Sequence, residues 1–245
     1  MQTTGITAPG MTPITAGLDD SISGPFGFPK NKLMQYLYQS LLYLHIAAGS
    51  LSLLTGGLNM ILPKGGIKHR KIGRLFVAGM MLTGGSALFM AQIKPNPFLF
   101  IIGVFTIYLV GTADRYIKLK QSKPLLIDWV YTLGMFVFGS VFIIWGVITL
   151  TKSDGMGAAM LVFGSIGLYS VYSDFNNYNG KTTQRNYRLF IHIGRMVGGF
   201  TATVTAVLVV NAQYIPLTIP EVVYWLTPTL IFTPLSIYWI RQRKK

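Results

Sequence analysis

Cysteine is absent from this chain of 245 residues, and acidic side chains are scarce. Without cysteine the chain can form no disulfide bond, thiolate zinc site, iron-sulfur cluster or cysteine nucleophile. Aspartate and glutamate number only 7 against 21 lysines and arginines, which gives a formal net charge of +14. Charged residues of both signs make up 11% of the chain, well below the share found in a soluble domain.

Apolar residues, by contrast, are abundant in the chain. Hydrophobic residues make up 51% of the chain, which also holds 27 glycines and has a mean hydropathy of +0.49. Apolar runs of about 20 residues, the length that crosses a bilayer as a helix, recur along it. The buried core of a soluble fold would not need so many runs of this length. The sequence therefore predicts an all-α polytopic integral membrane protein.

The apolar runs divide the chain into a tail, a membrane domain and a second, short tail. Residues 1–35 are rich in Thr, Gly and Pro, lack the pattern of a signal peptide, and are expected to form a flexible tail. Residues 241–245 form a basic tail after the membrane domain of residues 36–240. The predicted transmembrane helices of this domain are residues 36–62, 72–93, 98–116, 126–150, 156–178, 189–210 and 222–240.

Basic residues are concentrated in alternate connections, which predicts the orientation of the domain. Sixteen basic residues would share one side: Lys64, Lys68, Arg70, Lys71, Arg74, Arg115, Lys118, Lys120, Lys123, Lys181, Arg185, Arg188, Arg241, Arg243, Lys244 and Lys245. Only Lys30, Lys32, Lys94 and Lys152 would face the other side. Because positive charge marks the cytoplasmic side, we expect the N-terminus outside and the C-terminus in the cytoplasm.

Membrane topology thus explains most of the net charge. Nucleic acid is not an expected partner, because no basic domain with interleaved aromatic residues lies outside the membrane. Membrane lipids, anionic ones included, are the expected partners of the basic segment "KGGIKHRKIGR". The oligomeric state is left open.

Charged side chains inside an apolar span are costly and therefore informative. The segment "LFIHIGRMVGGF" opens the sixth span and, with the residue before it, sets Arg188, His192 and Arg195 on one helix face near the cytoplasm. Acidic residues at the ends of other spans would lie at similar depth. The predicted ligand-binding set at this inner-leaflet site is His69, Arg70, Arg74, Asp114, Asp174, Arg188, His192 and Arg195.

The same residues allow a structural interpretation. Arg195 could pair with Asp174, His192 could bond to a backbone carbonyl, and the cluster would then only hold helices together. In the functional interpretation, ionisable groups from several helices converge on a site. We keep both hypotheses at this point.

A second polar feature runs along one face of the first span. His45, Gly49, Ser52, Gly56 and Asn59 alternate at spacings of four and three residues, so they share a helix face. The sixth span carries a matching row of small residues, namely Gly194, Gly198, Thr201 and Thr205. Close helix packing explains both rows, and a polar path from the inner site outward is the alternative.

No cofactor is assigned by these residues. His45 and His192 would lie roughly 17 Å apart along the membrane normal, too far for one haem, which leaves His69 with His192 as the haem alternative. A metal alternative would use His69, Asp114, Asp128, Asp174 and His192. The nearby arginines would repel a cation and suit an anion, because a guanidinium binds phosphate or carboxylate with paired hydrogen bonds.

Three stretches carry a family resemblance: "LHIAAGSLSLLTGG", "KGGIKHRKIGRLFVAGM" and "FIHIGRMVGGFTATVTAVLVVN". They resemble a family of predicted bacterial multi-pass membrane proteins of unknown function, and the third is similar to its Bacteroidetes-type members. The family has an H-R-x-x-G-R loop and histidines in the first and sixth spans. The positions that match are His45, His69, Arg70, Gly73, Arg74, His192 and Arg195.

This resemblance spans residues 44–211 and implies a bacterial inner-membrane protein without naming a ligand. The leading hypothesis is therefore a membrane protein that binds or transports a small anionic ligand or lipid headgroup at the inner-leaflet site. A metal- or haem-dependent membrane enzyme and a structural or accessory membrane subunit are the alternatives.

Overall fold

The computed structural model describes residues 31–119, 123–150, 155–215 and 221–243. They form seven α-helices and one short 3-10 helix, Ala212–Tyr214, and no strand occurs in these ranges. The helices are α1 Lys32–Ile61, α2 Ile67–Ile93, α3 Pro97–Lys118, α4 Leu126–Leu150, α5 Gly155–Tyr178, α6 Tyr187–Asn211 and α7 Glu221–Gln242. The all-helical prediction is confirmed. The predicted tail up to residue 30, and Lys120, Lys152, Lys244 and Lys245, lie outside the described residues.

Two predicted boundaries were wrong near the N-terminal side of the bundle. α1 begins at Lys32, inside the predicted tail, where the Asn31 side chain accepts a hydrogen bond from the Leu33 amide. α2 begins at Ile67, so His69 and Arg70, expected in a loop, lie in its first turn. The turn before α2 is tight because Gly65 adopts a positive φ of 81°. The H-R-x-x-G-R segment is therefore helical, and its charges extend the helix beyond its apolar part.

Five of the described helices are long and apolar enough to cross a membrane: α1, α2, α3 from Leu99, α4 and α6. α4 shows the pattern most clearly, because its most apolar window has a mean hydropathy of 2.2 and only 22% of that window is buried. Its exposed side chains include Phe136, Ile144 and Trp145. Such apolar surface is unfavourable in water, so the bundle is compatible with an integral membrane protein. The count of seven spans and the orientation stay predictions.

The third helix is the centre of the bundle. α3 packs against α2, α4, α5 and α6, while α1 with α2, α4 with α5, and α6 with α7 form hairpins around it. Within its most apolar window 67% of the residues are buried, more than in any of the other four membrane-length helices of the described chain. Its side chains join two hydrophobic clusters, one through Phe105 and Tyr108 and the other through Val110. α3 is apolar on most of its circumference because neighbours surround it.

The basic connections come together at one end of the bundle, which we call the basic end. The Lys64 ammonium, between α1 and α2, lies 4.1 Å from the centroid of the Trp239 ring near the end of α7. Lys64 also donates to the Asn59 and Met60 carbonyls at 2.9 and 2.6 Å. These bonds give hydrogen-bond donors to two of the last backbone carbonyls of α1, which have no partner within the helix. Asn186, before α6, donates to the Arg243 carbonyl at 3.3 Å. The short connections that share this end are those before α2, α4 and α6.

α1 and α2 approach closely at Gly79. A Cβ placed at Gly79 would collide with the Ser52 side chain and lie 3.1 Å from the Ala48 carbonyl oxygen. Ser52 cannot easily move aside, because its hydroxyl donates to that same carbonyl at 2.8 Å. Small residues at such a crossing allow two helices in a membrane to pack without side chains between them.

Gly79→Ala is therefore expected to lower stability by about 1–3 kcal/mol, the usual result of overpacking. Gly85→Ala is the matched control on the same helix, because a Cβ there meets no atom within 4 Å. Thermal unfolding of both variants in detergent provides the measurement. Equal melting temperatures for the two variants would contradict the proposed close approach at Gly79.

Candidate functional site

A buried ion pair lies between α5 and α6. The Asp174 side chain is 0% exposed and that of Arg195 is 8% exposed. Arg195 Nη2 donates to Asp174 Oδ1 at 2.6 Å, and Nη1 donates to Oδ2 at 3.2 Å. The pairing is bidentate, the geometry in which a guanidinium and a carboxylate bind most strongly.

Hydroxyl groups from α3 and α4 complete the coordination of the carboxylate. Tyr108 and Tyr116 donate to its two oxygens at 2.6 and 2.7 Å. The Thr132 hydroxyl lies 3.3 Å from Oδ2 and shares its proton with the Asp128 carbonyl at 3.0 Å. The guanidinium donates in turn to Thr112 Oγ1 at 2.6 Å and to the Ser170 carbonyl at 3.1 Å. It also lies 5.0 and 5.3 Å from the centroids of the Tyr108 and Tyr116 rings. We call these six side chains the lock network: Tyr108, Thr112, Tyr116, Thr132, Asp174 and Arg195.

The lock network is closed in the described part of the chain. No buried side-chain nitrogen or oxygen there lacks a hydrogen-bond partner. A buried charge is tolerated only when its partners replace water in this way. The predicted pairing of Arg195 with Asp174 is confirmed, and both oxygens of the carboxylate already accept hydrogen bonds from the protein.

Aromatic rings pack around Tyr116, a member of the lock network. Tyr116 stacks on Tyr178 with a centroid distance of 6.0 Å, and Tyr187 meets Tyr116 edge-on at 6.3 Å. Trp129 packs edge-on against Tyr178 at 5.2 Å. Tyr116 is buried at the centre of these contacts, where a low dielectric strengthens the hydrogen bond from its hydroxyl to Asp174.

The remaining carboxylates of the basic end are also paired. Asp128, at the start of α4, accepts from Arg115 Nε at 2.7 Å and Nη2 at 3.0 Å, and from the Leu125 amide at 2.8 Å. Asp114 accepts from Lys118 at 2.5 Å, one helical turn away. The described carboxylates of the basic end therefore each neutralise a different cation.

The metal alternative is not supported by this arrangement. Within the described ranges no three His, Asp or Glu side chains form a group that could hold a metal ion. The predicted carboxylate ligands lie in three separate ion pairs, because Asp114, Asp128 and Asp174 each contact a different basic residue. The set His69, Asp114, Asp128, Asp174 and His192 was therefore wrong as a single cluster.

The His192 ring contacts a backbone carbonyl, and the His69 backbone is bonded to Asn59. His192 Nδ1 lies 3.0 Å from the Ala113 carbonyl oxygen, as the structural interpretation expected. A carbonyl only accepts, so Nδ1 carries the proton. His69 lies at the start of α2, where Asn59 bonds to the His69 carbonyl at 3.2 Å and to the Gly73 amide at 3.0 Å once its amide is oriented to suit both. The pairing of His69 with His192 around a haem stays a prediction.

The polar face of the first helix packs against its neighbours. His45 Nδ1 lies 3.0 Å from both the Thr83 carbonyl oxygen and Ser86 Oγ on α2. Gly49 lies against Thr83, and Gly56 lies against Phe200 on α6. These contacts favour the packing interpretation of the face that also holds Ser52 and Asn59.

Two clefts open at the basic end. One, of about 370 Å³, is lined by Tyr116, Ile117, Leu119, Arg185, Asn186, Tyr187, Arg188 and Leu189. The other, of about 500 Å³, is lined by Tyr238, Arg241, Gln242 and Arg243. The hydrogen bond from Asn186 to the Arg243 carbonyl joins them. We call Arg185, Arg188, Arg241 and Arg243 the arginine surface.

The arginine surface overlaps only partly with the predicted site. Arg188 lies in the first cleft, where it donates to Tyr187 Oη at 3.1 Å and to the Leu119 carbonyl. Arg70 and Arg74 are exposed on the first turns of α2 and line neither cleft. Arg185, Arg241 and Arg243 were assigned to topology alone, because a sequence does not reveal that the start of α6 lies beside the end of α7.

The tyrosines of the lock network were also missed. Tyr108, Thr112 and Tyr116 recur every four residues within an apolar span, which places their polar groups on one face of α3. That spacing was an available signal for a buried partner. The Arg115 and Asp128 pair carried a weaker signal, because its members flank one short connection.

Comparison of the chain with protein-family models, with curated proteins and with solved structures gives no match. The resemblance to a family of bacterial membrane proteins stays a prediction.

Direct pairing in the lock network predicts strong coupling between two substitutions. Arg195→Met leaves Asp174 as a buried carboxylate without a counter-charge, which is expected to cost about 3–5 kcal/mol. Adding Asp174→Asn removes that charge, so the double variant should be more stable than the Arg195→Met variant. Thermal unfolding of both single variants and the double variant in detergent measures the coupling. A double variant as damaged as the sum of the two single variants would disprove direct pairing.

Proposed function

We propose that this chain is a seven-span integral protein of a bacterial inner membrane, with its N-terminus outside and its basic end in the cytoplasm. Its function in this proposal is to bind a small anionic ligand or a lipid headgroup at the arginine surface. The exposed apolar helices and the resemblance of residues 44–211 support the membrane assignment. The concentration of lysine and arginine at one end supports the orientation.

One observation carries the binding proposal. The described carboxylates of the basic end, Asp114, Asp128 and Asp174, are each bonded to a cation outside the arginine surface. They therefore do not offset the charge of Arg185, Arg241 and Arg243, which line the two clefts. Guanidinium groups in such a setting favour phosphate or carboxylate as the counter-charge.

The geometry favours binding over transport. A polar path through the lock network would meet groups that are already bonded to side chains or carbonyls of α3, α4, α5 and α6. Opening it would separate a buried ion pair, which is costly. The site we propose therefore lies on the basic end and does not continue through the bundle.

The second candidate is a structural or accessory membrane subunit, which the same closed network favours.

The orientation can be tested with single cysteines, since the native chain has none to give a background signal. Lys181→Cys lies between α5 and α6, and Tyr214→Cys lies after α6 at the opposite end. We expect a membrane-impermeant maleimide to label Tyr214→Cys in intact cells and Lys181→Cys only in inverted vesicles. The reverse pattern would contradict the orientation, and labelling of both from one side would contradict the spanning of α6.

Anion binding can be tested by ligand-induced thermal stabilisation of the detergent-purified protein. We expect inorganic phosphate, or phosphatidylglycerol added as mixed micelles, to raise the melting temperature saturably, because a ligand that binds only the folded state stabilises it. Arg185→Gln with Arg241→Gln should abolish the shift.

Lys68→Gln with Lys71→Gln is the matched control, because it removes the same charge from exposed positions on α2 that line neither cleft. Equal loss of the shift in both double variants would mean that only overall charge matters. Absence of any shift in the native protein would refute the binding proposal.

A further inference from the structure

We infer that the cleft between the end of α3 and the start of α6 is a binding site for a phospholipid with an anionic headgroup. The inference rests on the proposed function and names the ligand class of the arginine surface. It is carried by the mixed lining of the cleft, its position at the end of the bundle, and the aromatic floor beneath it.

The cleft has a mixed lining. Its polar residues are Arg185, Asn186 and Arg188, and its apolar residues, which we call the apolar wall, are Ile117, Leu119 and Leu189. Ile117 is 48% exposed and continues the apolar outer surface of the bundle. A soluble anion would leave this wall in contact with water, whereas a phospholipid covers it with the first carbons of an acyl chain.

The depth of the cleft matches a headgroup. Arg188 is the second residue of α6, and Arg195 follows seven residues later, so the two lie about 10 Å apart along the helix. Arg188 is thus at the end of the span, at the level where lipid phosphates lie. The Tyr116 ring lines the bottom of the cleft, and its hydroxyl is bonded to Asp174. A ligand in the cleft therefore stays at the level of the headgroups.

The charge of the cleft selects among phospholipids. A phosphodiester headgroup without an amine brings one negative charge to Arg185 and Arg188. A zwitterionic headgroup brings an ammonium or choline group as well, and like charge beside the arginines is unfavourable. We therefore assign the site to anionic phospholipids, of which phosphatidylglycerol is the simplest test ligand.

The test is native mass spectrometry of the full-length protein, delipidated in detergent and titrated with dioleoyl phosphatidylglycerol or dioleoyl phosphatidylcholine. We expect phosphatidylglycerol to bind about tenfold more tightly, as the difference of one charged contact would give. Arg185→Gln alone should remove that preference, because Arg185 lines this cleft, and Lys68→Gln alone should retain it.

A second pair of variants tests the apolar wall. Ile117→Asn should weaken phosphatidylglycerol binding while leaving the response to inorganic phosphate unchanged. Ile127→Asn is the matched control, because Ile127 is 42% exposed on the first turn of α4 at the same end and lines neither cleft. Both variants should melt at a similar temperature, which separates the effect on binding from any effect on folding.

The outcomes distinguish the two proposals. Equal phosphatidylglycerol binding by the Ile117→Asn and Ile127→Asn variants, or competition by inorganic phosphate at the concentrations at which the lipid binds, would overturn the lipid assignment and leave the anion-binding proposal standing. Equal affinity of the native protein for both lipids, together with a response to phosphate, would likewise overturn the lipid assignment and leave the anion-binding proposal standing. Binding of neither phosphatidylglycerol nor phosphate would overturn both.

Discussion

The Asp174 carboxylate, buried without any exposed surface, is the constraint on which the arrangement of the bundle depends. Removing a carboxylate from water costs far more free energy than one ordinary hydrogen bond returns. The chain meets that cost with Arg195 from α6, Tyr108 and Tyr116 from α3, and Thr132 from α4. A group with so many partners fixes the positions of the helices that provide them, which explains how the α4 and α5 hairpin is held to the rest.

The same interaction separates the interior of the protein from its proposed binding surface. Arg115, Lys118 and Arg195 are each paired with an aspartate, and those three aspartates do not contact the arginines around the two clefts. This division assigns different roles to chemically identical side chains. Arg195 is buried and held by a carboxylate and a threonine hydroxyl, while Arg185 is exposed and lines an open cleft.

The sequence indicated the helical class, the apolar runs and the joining of Arg195 to Asp174, because these depend on composition, on periodicity and on the cost of a charge in an apolar span. It did not indicate Tyr108 and Tyr116, whose spacing fits ordinary core packing as well as a polar face. It also placed the three aspartates in one cluster, since depth along a helix can be read from a sequence but the direction of a side chain around its axis cannot. The two arginine-lined clefts are joined by the hydrogen bond from Asn186 to the Arg243 carbonyl, and this depends on the pairing of α6 with α7 in the folded bundle.

The lock network also has a consequence for the order in which the chain is assembled. Its residues come from four helices that are synthesised one after another, and Asp174 precedes Arg195 by 21 residues. In a chain that enters the bilayer as it is made, α5 therefore arrives with a carboxylate that only tyrosine and threonine can solvate. Its counter-charge arrives with α6, so the insertion of the sixth helix, rather than that of the fifth, completes the interior. Before α6 is inserted, an intermediate of five helices would therefore hold the Asp174 carboxylate without its counter-charge.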